Sequence, residues 1–198
     1  GEQSGFINDI GFETYQKILN EAIEELKETE FKSLYNEDIN TKEFVKDVTI
    51  DTDFSLLFPD DYINNITERL SLYTQLNTLK NEADLQRFER DLVDRFGALP
   101  TQVVDLLDSV RIKWLATTLG FEKIVMKNQK LVGFFVSDQE SRFYQSIHFS
   151  KVLQYVQAHP QTCTVKEKQM RVGLRLLMSF SNINSVQQGL QALKPILL

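Results

Sequence analysis

The segment Asp91-Leu92-Val93-Asp94-Arg95-Phe96-Gly97-Ala98-Leu99-Pro100 narrows the possible folds more than any other stretch. It reads as the end of one helix, a tight corner and the start of the next. Leu85, Phe88, Leu92 and Phe96 recur at helical spacing and form a single apolar stripe. Asn81 suits the N-cap, with Asp84 in the first turn. Gly97 suits a left-handed position just past a helix C-terminus, and Pro100 suits the first turn of the next helix. Phe96, Gly97 and Pro100 are therefore expected to build a structural corner. Asp91, Asp94 and Arg95 lie off the stripe and are expected to face outward. Asp91 and Arg95 stand four residues apart, so they can pair with each other on a solvated helix face.

The rest of the chain is arranged around that corner. Phe12, Tyr15, Leu19, Ala22, Ile23 and Leu26 predict an amphipathic helix over 12–28, with glutamates outside. Residues 29–42 read as a linker to the main domain at 43–198. Val48, Ile50, Thr52, Phe54 and Leu56 alternate with polar residues, which predicts a half-buried strand with an acidic outer face, ended by Pro59. Helices are expected over 62–79, 82–96 and 100–119. The first should bury Ile66, Leu70, Tyr73 and Leu76; the third should bury Val103, Leu107, Val110 and Trp114, with Gly120 closing it.

After Gly120 the period changes. Strands are expected over 121–127 and 131–137, around a loop at Asn128-Gln129-Lys130. A helix over 147–157 stops before Pro160. A second hairpin joins 162–166 to 170–178, and a helix through Ile183, Val186, Leu190 and Leu193 closes the chain. Helices and hairpins in separate runs give an α+β class: a lead-in helix, then three helices packed with a small, mostly antiparallel sheet, and two further helices.

Asp51 and Asp53 share one strand face about 7 Å apart. They fit either a Mg²⁺-dependent phosphoesterase or a plain acidic surface. No Gly-rich phosphate loop accompanies them. His148 and His159 lack helical metal-pair spacing, and no serine sits in a nucleophile elbow. No metal and no cofactor are expected. Arg171 and Arg175 read as anion ligands or as guards of an edge strand. Phe134, Phe135, Phe143, Tyr144 and Phe149 crowd one region, as core or as a partner's patch.

Cys163 is the one cysteine, so no internal disulfide forms; its neighbours suggest a strand in which it acts as a small hydrophobe. No apolar run reaches membrane-spanning length, and the N-terminus lacks a signal pattern. A cytoplasmic setting is expected, with no membrane partner. The start at Gly1 without Met suggests a fragment. Net charge is −6, but unevenly spread. Residues 1–61 hold 16 acids and 5 bases, while 62–198 hold 12 acids and 17 bases. The acidic part argues against nucleic acid as its partner, and the later positive excess reads as too diffuse for a phosphate-tracking groove. Direct DNA binding is an alternative function class for this chain.

Three motifs occur in a shared order. They are Gly1-Glu2-Gln3-Ser4-Gly5 with Gly11-Phe12-Glu13-Thr14-Tyr15, then Arg69-Leu70-Ser71-Leu72-Tyr73, then Asp94-Arg95-Phe96-Gly97-Ala98-Leu99-Pro100. Together they resemble the C-terminal domain of bacterial transcription-repair coupling factors, well over residues 1 to 120. The resemblance implies a non-catalytic regulatory domain at 43–198. Residues 1–42 would then be the tail of the preceding translocase domain. The parent implied is an ATP-driven DNA translocase that displaces stalled RNA polymerase and recruits the excision-repair ATPase UvrA. The resemblance also implies docking on the N-terminal UvrA-binding domain of the same protein, which masks the UvrA surface. It places Asp91, Asp94 and Arg95 in that contact, with Asp91 one methylene shorter than the expected Glu. Gln3 matches the glutamine of the translocation motif shared with the helicase RecG. Its partner arginines would lie upstream, so Gln3 does not act within this chain. UvrA, RNA polymerase and duplex DNA enter only through the parent.

Overall fold

The computed structural model describes residues 43–198. The expected helix over 12–28, the linker over 29–42 and Gln3 lie outside the described residues.

Strand β1 (Thr49–Thr52) is shorter than the alternation suggested. Its end is set by Thr52, whose Oγ1 donates to the Met126 carbonyl at 2.8 Å and accepts the Phe54 N–H at 3.1 Å. Val48, Ile50, Phe54 and Leu56 still lean on the core. Next, Tyr62 and Ile63 turn over Pro59, both donating N–H to its carbonyl at 3.0 Å. Helix α1 (Ile66–Thr78) therefore begins later than expected, where the Asn65 side chain caps the Glu68 N–H.

The inward face of α1 is the expected one only at Leu76 and, in part, at Tyr73. Ile66 and Leu70 are 64% and 61% exposed, whereas Leu72 and Leu76 are each 3% exposed. The helix carries apolar residues on two faces. The face with Leu72 and Leu76 wins because it meets Leu85, Phe88 and Leu92 of the next helix in one cluster. Tyr73 sits at the margin, where its hydroxyl accepts the Phe58 N–H at 2.8 Å.

Helix α2 (Glu82–Phe96) has the expected bounds, with Asn81 accepting the Asp84 N–H. Pro100 caps helix α3 (Thr101–Leu119) instead of occupying its first turn. Helix α3 spans both halves of the fold. Val103, Leu106 and Leu107 join the α1–α2 cluster, and Ile112, Ala116 and Leu119 join the sheet. Val110 and Trp114, expected inside, are only partly buried at the edge of the helical cluster. Arg111 ties α3 to the start of α2. Its Nε and Nη2 reach Glu82 at 2.9 and 2.8 Å, and its Nη1 reaches Asp108 at 2.8 Å. These bonds hold the Glu82 carboxyl below its usual range.

Gly120 ends α3 at φ 81, and strands β2 (Phe121–Lys127) and β3 (Lys130–Phe135) follow. Their turn is Asn128-Gln129, both at positive φ, so it is one residue tighter than expected. A 3-10 turn (Arg142–Gln145) leads into helix α4 (Ile147–Ala158), capped by Ser146. Strands β4 (Cys163–Met170) and β5 (Gly173–Ser181) turn at Arg171-Val172, not at 167–169. The alternation of Met170, Val172 and Leu174 runs straight through that turn, which hid it; Val172 is 87% exposed at the tip. Helix α5 (Val186–Leu193) and a 3-10 turn containing Pro195 finish the chain.

The sheet order is β1-β2-β3-β5-β4, with β1 parallel to β2 and the other pairs antiparallel. The class is α+β, as expected. Helices α3, α4 and α5 cover one face. Phe135, Phe143, Tyr144 and Phe149 are all buried there, in mutual ring contact. Phe134 points to the other face, between Lys123 and Arg175. Arg175 is not on an edge strand: β5 is interior, and its guanidinium bonds Glu122 at 2.9 Å and the Phe135 carbonyl. Cys163 is buried in β4, which pushes its thiol up.

Candidate functional site

Helices α1 and α2 form an antiparallel hairpin, which brings the C-terminal turn of α2 beside the first turn of α1. There the Arg95 guanidinium bonds the Glu68 carboxylate. Asp91 is not its partner. The guanidinium also lies over the Phe96 ring, 4.8 Å from its centroid. That stacking and the Glu68 carboxylate across the hairpin draw Arg95 away from the turn below it. Glu68 is a member of this site that sequence spacing missed. It stands 27 residues from Arg95, beyond any helical periodicity.

A small cavity of about 140 Å³ lies between the helices. Leu72, Phe88 and Leu92 contribute its apolar lining, and Gln75, Asp91, Asp94 and Arg95 its polar lining. An adjoining cleft of about 380 Å³ shares Leu72, Gln75 and Arg95 and adds Asn65, Glu68 and Ser71. Asp91 and Asp94 are exposed and make no ion pair among the described residues. The face thus presents two free carboxylates beside an arginine already fixed in position. A guanidinium has five donors, so Arg95 can hold Glu68 and a second acceptor together. This arrangement suits docking against a basic surface and offers no nucleophile–base pair.

The corner holds the face in place. The Tyr62 hydroxyl donates toward the Gly97 carbonyl at 2.9 Å, and the Tyr62 ring packs on Phe96. Gly97 has φ 88 and ψ −166, so it is not left-handed helical. It occupies a region that is essentially glycine-only. An added Cβ would meet nothing within 4 Å, so any cost of substitution is backbone strain alone. Gly97→Val is expected to destabilise the fold by on the order of 1–3 kcal/mol, read as a lower denaturant midpoint at constant slope. An unchanged midpoint would show that the corner relaxes freely.

The acidic strand face is arranged differently from a metal site. Asp51 is bound by Lys127 at 2.9 Å, which lowers its pKa, while Asp53 lies beyond the end of β1. Among the described residues, no group of three His, Cys, Asp or Glu side chains could hold a metal ion. His159 closes α4, stacked on Tyr155 with its Nδ1 2.9 Å from the Tyr155 carbonyl. No helix among the described residues is long and apolar enough to cross a membrane.

Comparison with known proteins gives this geometry its family. The TRCF domain model matches residues 52–146. The transcription-repair-coupling factor of Rickettsia typhi is 29% identical over 196 residues, which is 98% of this chain and 16% of that protein. The Escherichia coli K12 transcription-repair-coupling factor is 35% identical over 123 residues, covering 62% of this chain and 10% of that protein. The chain thus spans 16% or less of the length of these two relatives. A crystal structure of the C-terminal domain of a transcription-repair coupling factor has the same fold. Its TM-score is 0.57 at 18% identity, covering 76% of this chain and 92% of that one. The family match runs from the end of β1 through α1, α2, α3, β2 and β3 to Ser146, the cap of α4, and this part of the chain, residues 52–146, belongs to the TRCF domain family.

Proposed function

We propose that residues 43–198 are a non-catalytic regulatory domain and that residues 1–42 are the tail of a translocase domain. The parent is an ATP-dependent DNA translocase of the cytoplasm. It displaces stalled RNA polymerase and recruits nucleotide excision repair. The α2 face docks on the N-terminal UvrA-binding domain of the same protein and masks its UvrA surface. The observation that carries this reading is the pair of free carboxylates, Asp91 and Asp94, beside an Arg95 held by Glu68 and Phe96.

The mechanism is charge pairing with desolvation. In the free domain, water solvates both carboxylates. Against a basic surface they lose that water and gain charged hydrogen bonds, which are stronger than neutral ones. Arg95 is already ordered, so it loses little side-chain entropy on docking. UvrA gains access when these contacts are exchanged for others.

The direct test is competition. The 198-residue chain, added to the isolated N-terminal domain of its parent, should displace labelled UvrA in a saturable manner. Displacement should weaken as salt rises, because the contact is ionic. Failure to displace UvrA at any attainable concentration would remove the masking reading.

A further inference from the structure

We propose that the helix-free face of the sheet binds single-stranded nucleic acid through lysines that the strand register gathers. Among the described residues, the helices pack on the opposite face only. On the open face, Lys123, Phe134, Leu177 and Lys166 form one row across β2, β3, β5 and β4. Lys168, opposite Arg175, and Lys130, opposite Lys127, extend the cationic surface on either side, while Arg175 and Lys127 are themselves paired with carboxylates.

Carboxylates offset Lys127 and Arg175 and leave four lysines without an ion-pair partner among the described residues. Asp51 is held by Lys127 and Glu122 by Arg175, each at 2.9 Å. Lys123, Lys130, Lys166 and Lys168 have no carboxylate within ion-pair distance among the described residues. Lys123 and Arg175 both approach the Phe134 ring, at 5.8 and 5.7 Å from its centroid. The ring thus anchors two cations at the centre of the face.

The chemistry favours a polyanion over a protein's apolar surface. No residue of this face is an exposed large hydrophobe, and Leu177 is only 7% exposed. A protein partner would have little apolar area to bury, whereas ammonium groups beside Ser179 and Thr164 hydroxyls suit phosphates. Lys166 and Lys168 repeat along β4 at roughly 7 Å, which suits the extended backbone of a single strand. A duplex presents a convex surface that an open sheet touches over a smaller area. Because cations surround the Phe134 ring, phosphate contacts outweigh base stacking, so sequence preference is low and salt dependence high.

The test is fluorescence anisotropy of labelled twelve-residue oligothymidylate with the 198-residue chain. Saturable binding is expected at low salt. Its logarithm should fall with the logarithm of salt at about −0.7 per phosphate contact, near −3 for four lysines. Lys123→Glu with Lys166→Glu should weaken binding at least about tenfold, while Lys166→Arg with Lys168→Arg preserves it. Circular dichroism checks folding, and the milder Lys166→Gln with Lys168→Gln, on the edge strand, replaces the reversal if that variant unfolds. No saturable binding would overturn the proposal and leave the lysines as guards of an edge strand. Equal affinity for duplex, equal competition by polyglutamate, or binding indifferent to charge reversal would each overturn it too.

Discussion

Full-length parent protein carrying Asp91→Ala, Asp94→Ala and Arg95→Ala is expected to capture UvrA on the order of 25-fold more strongly than the unmodified protein. The domain itself should stay folded. Asp91, Asp94 and Arg95 are exposed, and the α2 core residues Leu85, Phe88 and Leu92 are untouched. Losing the Arg95–Glu68 pair costs little, because exposed pairs are worth about 0–1 kcal/mol. Across a docked interface the balance differs. Truncating one partner of a buried charged pair costs roughly 2–5 kcal/mol, and the lower figure alone is about 25-fold in an equilibrium. Capture of UvrA by the variant and by Arg87→Ala, a change one turn away, would be compared at equal protein. If the triple variant folds and its UvrA capture matches that of Arg87→Ala, the three residues are only a solvated helix face.

The second large effect is structural. Gly120→Ala is expected to lower stability by about 3–5 kcal/mol, more than Gly97→Val. Gly120 has φ 81, and an added Cβ would sit 2.1 Å from the Phe143 ring. That ring is 1% exposed and in contact with Phe44, Phe135, Tyr144 and Phe149. It cannot retreat without disturbing the aromatic core. Backbone strain contributes about 1–3 kcal/mol and overpacking a similar amount, so the two together exceed the strain at Gly97. Urea titration of both variants separates the contributions. A Gly120→Ala loss no larger than that of Gly97→Val would mean that Phe143 yields and only backbone strain counts.

Much of the fold was legible where the signal is local. Helix α2 could be read to its ends because Asn81, the Leu85–Leu92 stripe and Gly97 agree with one another. The β2 strand and the closing helix were equally clear. Errors arose where two local patterns were equally good. Helix α1 carries two apolar faces, and spacing does not say which one meets α2 and α3. In the second hairpin, alternation continues through Arg171-Val172, so nothing in the period marks the turn.

The functional surfaces divide in the same way. Sequence alone determined that Asp91, Asp94 and Arg95 lie off the buried stripe, because a helix places residues on faces by their spacing. It also pointed to a break at Gly97 and Pro100, because positive φ favours glycine and proline suits a helix start, but it put Pro100 in the first turn where the structure has it at the cap. Only the tertiary structure decided that Arg95 binds Glu68, since an antiparallel helix pair joins residues far apart in the chain. It likewise decided that lysines scattered over β2, β3 and β4 share one face. Which strands are neighbours, β3 beside β5 in particular, depends on burying β2, β3 and β5 beneath α3, α4 and α5, a demand set by the whole core and written in no single segment.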